Sequence, residues 1–135
     1  MKTISSTYIG DLRISSTHIK SGSILETDAP LDNNGKGTRF SPTDLLATAY
    51  LNCMITLIGI YCDQNGVTFE QCEGQVEKIM IDSPRRVGGL NIILDLRSNT
   101  WNDKEKRRVE NAAKTCPVAK SVSPEIKVNI QFLYS

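Results

Sequence analysis

An α+β fold, with antiparallel sheets packed around one long buried helix, is what this sequence predicts, and three features predict it. Residues 40–66, FSPTDLLATAYLNCMITLIGIYCDQNG, form a long apolar run with a helix-start signal at one end and a helix-stop signal at the other. Segments rich in β-branched residues lie on both sides of it, and the last of these alternates apolar and polar side chains. The resulting order is strands, long helix, strands, shorter helix, strand, an α+β pattern. With 135 residues the chain can build one core but not two, so a single domain over 1–135 is expected.

Taken in order, residues 7–27 mix Thr, Ser, Ile, Leu and Tyr with the breaks GD and KSG, and read as two or three short antiparallel strands. DAPLDNNGKGTRF is a loop by its Asp, Asn, Gly and Pro content, with Arg39 at its end. The long helix starts near 41: Ser41 suits the N-cap, Pro42 the first turn, and Asp44 completes a capping-box-like S-x-x-D. Gly66 is its natural left-handed terminator. EGQVEKIMIDSPRRVGGLNIILDLRS reads as a hairpin around a Ser, Pro and Gly turn. Asn102 or Asp103 can cap a second helix through KEKRRVENAAKTC, whose continuation Pro117 limits. Ile126, Val128, Ile130 and Phe132 then alternate with Lys127, Asn129 and Gln131 as a half-buried strand.

Charge excludes more than it suggests. Sixteen basic residues against fifteen acidic ones leave +1, so no strong field favours nucleic acid or an anionic membrane as a partner. The N-terminal stretch lacks an apolar run of signal-peptide length, and a cytoplasmic location is expected. Leu45–Tyr61 is at the lower length limit for a membrane span and is diluted by Thr48, Asn52 and Thr56, so it reads as a core helix. Without an export signal, Cys53, Cys62, Cys72 and Cys116 are expected as free thiols.

Cys53 lies in the middle of the long helix. At 100° per residue, Leu46, Tyr50, Leu57 and Ile60 share its side, while Cys62 points the opposite way. A cysteine in a core helix most often fills space as a small hydrophobe. It becomes a nucleophile as the thiolate, which a nearby cation favours, and a second thiol can capture its oxidised product as a disulfide. Arg39 and Cys116 are candidates for those two tasks.

Two stretches carry a resemblance. TRFSPTDLLATAYLNCM, with its Arg-Phe pair, Pro-capped helix and cysteine, resembles the first signature of the OsmC and Ohr family, the osmotically inducible and organic hydroperoxide resistance proteins, in its OsmC-like branch. AAKTCPVAKSVSPEIKVNIQF resembles the second: a cysteine followed by Pro-Val, a short helical run and the last strand. The resemblance implies an intertwined homodimer with two sites at the subunit interface. It also implies a peroxidatic Cys53, a resolving Cys116, and an Arg39 that favours the thiolate and orients the peroxide. The disulfide formed would be reduced by an external dithiol, including a lipoyl-type one, with no metal or organic cofactor.

One position departs from the family pattern: Thr43 stands where a glutamate paired with the arginine is expected, and a threonine supplies no carboxylate. Asp44 follows it but already serves the helix cap. Tyr50 could line an apolar entrance to Cys53, or be a core aromatic like Trp101. Cys62 and Cys72 lack a C-x-x-C partner, and with His18 the only histidine a zinc site is not expected. Arg85 and Arg86 read as a solvated hairpin tip and KEKRR as an exposed helix face. The function expected is a two-cysteine peroxidase acting on organic hydroperoxides, and on hydrogen peroxide as a further substrate, in defence against oxidative stress. The alternative is a redox-sensing or small-ligand-binding dimer of the same fold with poor turnover.

Overall fold

Three short strands open the chain in the computed structural model, which describes all 135 residues: β1 (Ile4–Gly10), β2 (Arg13–His18) and β3 (Ile24–Asp28). They pair antiparallel in that order. The break at Gly10-Asp11 is a tight turn in which Asp11 and Leu12 both take positive φ, 54° and 63°, the backbone twist that suits a two-residue hairpin.

Residues Met1–Leu46 and Ala47–Ser135 form two compact units. The first contains no buried apolar side chain; what it buries is polar, namely Thr27, Asp28 and Ser41. Ile4, Tyr8, Ile24 and Leu25 stay exposed. This unit is instead organised around a carboxylate. Asp28 accepts from Arg13 Nε at 2.7 Å and Nη2 at 2.9 Å, and from Thr38 through its backbone N–H at 3.1 Å and its hydroxyl at 2.8 Å. A buried charge is tolerable when it is paired and hydrogen-bonded to this degree. The Asp28 backbone N–H also donates to the Phe40 carbonyl at 3.0 Å, and a parallel bridge joins Thr27 to Phe40. Residues on both sides of Arg39 are thereby tied to the end of β3.

The long helix α1 spans Pro42–Asn65. Its capping box is formed: the Asp44 N–H donates to Ser41 Oγ at 3.0 Å, and the Ser41 N–H donates to Asp44 Oδ2 at 3.0 Å. At the other end Gly66 takes φ +64° and the Val67 N–H reaches back to the Cys62 carbonyl at 3.0 Å, a left-handed helix stop. By length and composition alone α1 could cross a membrane, a test that the core helix of a soluble protein also passes.

Within one chain α1 is not buried all round, as its composition predicts; one stripe is, made of Ala47, Tyr50, Met54, Ile58 and Cys62. The side shared by Cys53 and Leu57 is half-buried, and Ile60 on it is 44% exposed. A single sheet and one further helix cannot cover the whole circumference of a cylinder.

The second sheet consists of β4 (Glu73–Ile81), β5 (Arg86–Asp95) and β6 (Lys127–Leu133), in that order. β4 and β5 form the expected hairpin, but β6 runs parallel to β5, so this sheet is mixed rather than antiparallel. The reason lies between them. Helices α2 (Asp103–Ala113) and α3 (Pro117–Ser121) supply the long crossover that a parallel neighbour requires. Asn102 caps α2 in a reciprocal box with Glu105, and Pro117, having ended one helix, opens the next.

Met54 and Ile58 of α1, Leu90, Ile92 and Leu94 of β5, and Val109 of α2 form the core of the second unit, each essentially inaccessible. Full burial of such a side chain contributes roughly 1.5–3 kcal/mol. Gly74 of β4 lets the helix approach: a Cβ there would sit 2.7 Å from Leu51 Cδ1 and 2.9 Å from Ile55 Cδ1.

Arg13 beside Asp28 holds that carboxyl well below its ordinary value of 3.8. The stabilisation is therefore present above that value and is lost as pH falls below it, when the folded state must take up the proton. Asp28→Asn should lower the melting temperature at neutral pH and flatten its fall in acid. Thermal melts of both proteins from pH 7 to pH 2 check this; parallel curves would contradict it.

Candidate active site

Two of the four free thiols meet. Cys53, in the middle of α1, is half-buried, and Cys116, at the N-cap of α3, is fully buried. Their side chains lie close enough within a single chain for Cys53 to act on the Cys116 thiol. Burial pushes the Cys116 thiol up, Cys53 pushes it further, and the backbone N–H groups of Ala119 and Val118 only partly oppose this. Cys116 thus keeps its proton.

Tyr50 completes the inner wall. It lies one turn before Cys53 on the buried stripe, and burial raises its phenol, with proximity to Cys116 as the lesser cause. The other cysteines lie outside this group. Cys62 is on the opposite side of α1 and its thiol is raised chiefly by burial, then by Asp63 and Glu105. Cys72 is pushed up to about 11, mostly by burial and then by Asp95 and Glu73.

Arg39, Thr43 and Asp44 belong to the N-terminal unit. Arg39 Nε donates to Glu26 Oε1 at 3.2 Å, and its Nη1 to the Thr38 carbonyl at 3.2 Å. Thr43 and Ser41 share a hydroxyl hydrogen bond of 3.2 Å, and Asp44 is the capping carboxylate. Sequence reading looked for the partner of the arginine just after the helix start and missed Glu26. The only available signal was the E-x-D spacing of Glu26 and Asp28, which puts both carboxylates on one face of a strand.

A groove of about 740 Å³ lies elsewhere, on the outer face of the second sheet between Gln75, Glu77, Asn91, Asn129 and Gln131. A ladder from Asn129 to Asn91 to Glu77 crosses it, with hydrogen bonds of 3.1 and 2.8 Å. It contains no nucleophile, so the chemistry is better sought at the thiol pair. No group of three or more His, Cys, Asp or Glu side chains is arranged to hold a metal ion.

The sequence model for OsmC-like protein matches residues 35–131. The chain belongs to the OsmC-like family. A solved structure from Psychrobacter arcticus, provisionally named an osmotic stress induced and detoxification response protein, is 42% identical with a TM-score of 0.93, over 98% of this chain and 96% of that one. More distant structures share the OsmC-like fold. One is an organic hydroperoxide resistance protein, OsmC, from Legionella pneumophila, with 17% identity, a TM-score of 0.72, and coverage of 98% of this chain and 97% of that one. Another is the organic hydroperoxide resistance protein OhrB of Bacillus subtilis, with 16% identity, a TM-score of 0.65 and 96% of each chain. No curated protein matches the chain.

In this OsmC-like protein Cys53 is partly accessible, while burial raises the thiols of Cys62, Cys72 and Cys116. Brief iodoacetamide treatment of the reduced protein near pH 8, followed by peptide mass spectrometry, should label Cys53 about tenfold faster than Cys62, Cys72 or Cys116. Comparable labelling of Cys53 and Cys72 would contradict that ordering.

Proposed function

We propose that this OsmC-like protein is a thiol-dependent peroxidase that reduces organic hydroperoxides through Cys53 and Cys116. The observation that carries the reading is the proximity of a half-buried thiol and a fully buried one in the same chain. Support also comes from the Legionella and Bacillus relatives, both named for organic hydroperoxide resistance.

The Cys53 thiolate attacks the terminal oxygen of ROOH. The O–O bond breaks, the S–O bond forms, and the alkoxide leaves as ROH after taking a proton, so sulfur is oxidised to sulfenic acid and the peroxide reduced. The Cys116 sulfur then attacks the sulfenic sulfur. An S–S bond forms, and the hydroxyl departs as water with the Cys116 proton. An external dithiol of lipoyl type reduces the disulfide by two exchanges, regenerating both thiols and becoming a disulfide itself. Arg39 favours the thiolate and orients the peroxide oxygens through its planar donors. The apolar neighbours of Cys53 suit an alkyl substituent. No metal or organic cofactor takes part, and the cycle operates in the cytoplasm as part of a stress response.

The working unit we propose is an intertwined homodimer. Residues 1–46 bury no apolar side chain of their own, and Ile60 is open beside the thiol side of α1. A second copy of the chain is the economical cover for both. Sedimentation velocity at micromolar concentration should give a single species of twice the chain mass, 15.0 kDa; a monomer would overturn this point.

A second reading, a redox-sensing or ligand-binding dimer with poor turnover, draws on Thr43, which offers no carboxylate beside the helix start. Stopped-flow oxidation of the reduced protein by an alkyl hydroperoxide separates the two. The peroxidase reading expects oxidation at least a hundredfold faster than for free cysteine, abolished in Cys53→Ser. In Cys116→Ser it should stop at sulfenic acid, and in the parent it should end in a Cys53–Cys116 disulfide seen by mass spectrometry. Oxidation at the rate of a free thiol would support the sensing or binding reading instead.

A further inference from the structure

We propose that the groove on the outer face of the second sheet is a binding site for an uncharged, polyhydroxylated chain, a short oligosaccharide. The site is independent of the thiol chemistry, because the residues that form it lie on β4, β5 and β6 and point away from α1.

The groove follows from strand register. Side chains alternate between the two faces of a strand. Gly74 faces Leu51 and Ile55 of α1, and Leu90, Ile92 and Leu94 enter the core, so Gln75, Glu77, Asn91 and Ile93 are turned outward. Pairing then sets two rows across the sheet, Glu77 with Asn91 and Asn129, and Gln75 with Ile93 and Gln131. In both rows the middle side chain, on β5, is no longer than its neighbours, and the result is a trough of about 740 Å³ along that strand. A volume of this order is typical of sites for small organic ligands.

The lining selects among ligands. No lysine or arginine borders the groove, which disfavours phosphates and carboxylates, and no aromatic ring is there to stack on a base. An extended peptide would need separate pockets for alternate side chains, and a continuous row of amides does not form them. A side-chain amide both donates and accepts, as a sugar hydroxyl does. In the first row Asn91 accepts from Asn129 at 3.1 Å and donates to Glu77 at 2.8 Å, so three polar groups are held in place before any ligand arrives. Each retains capacity: an N–H on Asn91, the second oxygen of Glu77 and the carbonyl of Asn129. In the second row the exposed amides of Gln75 and Gln131 flank Ile93, whose side chain, 36% exposed, offers an apolar spot to the C–H face of a sugar ring. The rows are roughly 7 Å apart, two residues along a strand, so a chain of rings reaches both where a single ring reaches one.

The test follows backbone amide signals of isotope-labelled protein by NMR during titration with maltotriose, cellotriose and tri-N-acetylchitotriose, with glucose and tri-alanine as controls. At least one trisaccharide should shift signals around Asn91 and Ile93 saturably, with half-saturation at about 1 to 10 mM and glucose at least fivefold weaker, for a few hydrogen bonds made in competition with water. Asn91→Ala and the double variant Gln75→Ala/Gln131→Ala should each weaken that binding at least about fivefold at an unchanged melting temperature. No saturable shift with any of the three at about 50 mM overturns the proposal. So do shifts that lie outside the groove or that both variants leave unchanged. Tri-alanine binding there as tightly as the sugars would assign the groove to peptides, and groove signals that move with protein concentration alone would assign it to a second copy of the chain; either result overturns the proposal.

Discussion

The rotation of α1 about its own axis decides what every thiol in this protein can do. The helix is seated by Met54 and Ile58, which enter the same core as Leu90, Ile92, Leu94 and Val109, and by the close approach that Gly74 permits against Leu51 and Ile55. With those contacts made, Cys62 is carried fully inside and Cys53 is left at the margin of the buried stripe, half-open. Cys116 can meet Cys53 there because Pro117 ends one helical direction and begins another, placing the cysteine at the joint. An accessible sulfur backed by a buried, protonated one is thus a result of helix packing.

The two units are built on opposite physical terms. The C-terminal one holds together by apolar burial of α1, β5 and α2 around one core. The N-terminal one has no such core; it is organised by one buried carboxylate with four donors, and its apolar side chains point outward. Directional bonds of this kind fix backbone geometry more narrowly than packing does, and here they hold the main chain on both sides of Arg39. They supply little of the burial that makes a sheet stable by itself.

Much of the backbone was legible in the sequence because its punctuation is local. Ser41, Pro42 and Asp44 announced the start of α1 and Gly66 its end, and both act as read. The alternation from Ile126 to Phe132 marked β6, but period two is the same for parallel and antiparallel neighbours, so the parallel pairing was hidden. Nor could the sequence reveal which side of α1 faces inward. A helix apolar on nearly every side has no dominant face, and of the residues that share the side of Cys53 Tyr50 is buried, Leu46 and Leu57 are half-buried and Ile60 is exposed. The meeting of Cys53 with Cys116 was expected from resemblance alone, since spacing along a chain says nothing about a contact across the fold. The acceptor of Arg39 was sought at position 43 and lies on β3 instead, reached through a long-range pairing that no short motif encodes.

The sulfur pair has a consequence for the unfolded chain as well as for the folded one. Cys53 and Cys116 enclose roughly sixty residues, including all of β4, β5 and α2. A covalent link across a loop of that length removes chain entropy worth about 4 kcal/mol from the denatured ensemble. Since the two thiols already lie near one another in the reduced protein, the native state would have little rearranging to do if that bond closed. Oxidation would then make the polypeptide harder to unfold, and by thermodynamic linkage folding would make the disulfide harder to reduce. A reductant of such a disulfide would have to overcome the stability of the fold along with the strength of an S–S bond, which would favour a low-potential dithiol over a general thiol pool.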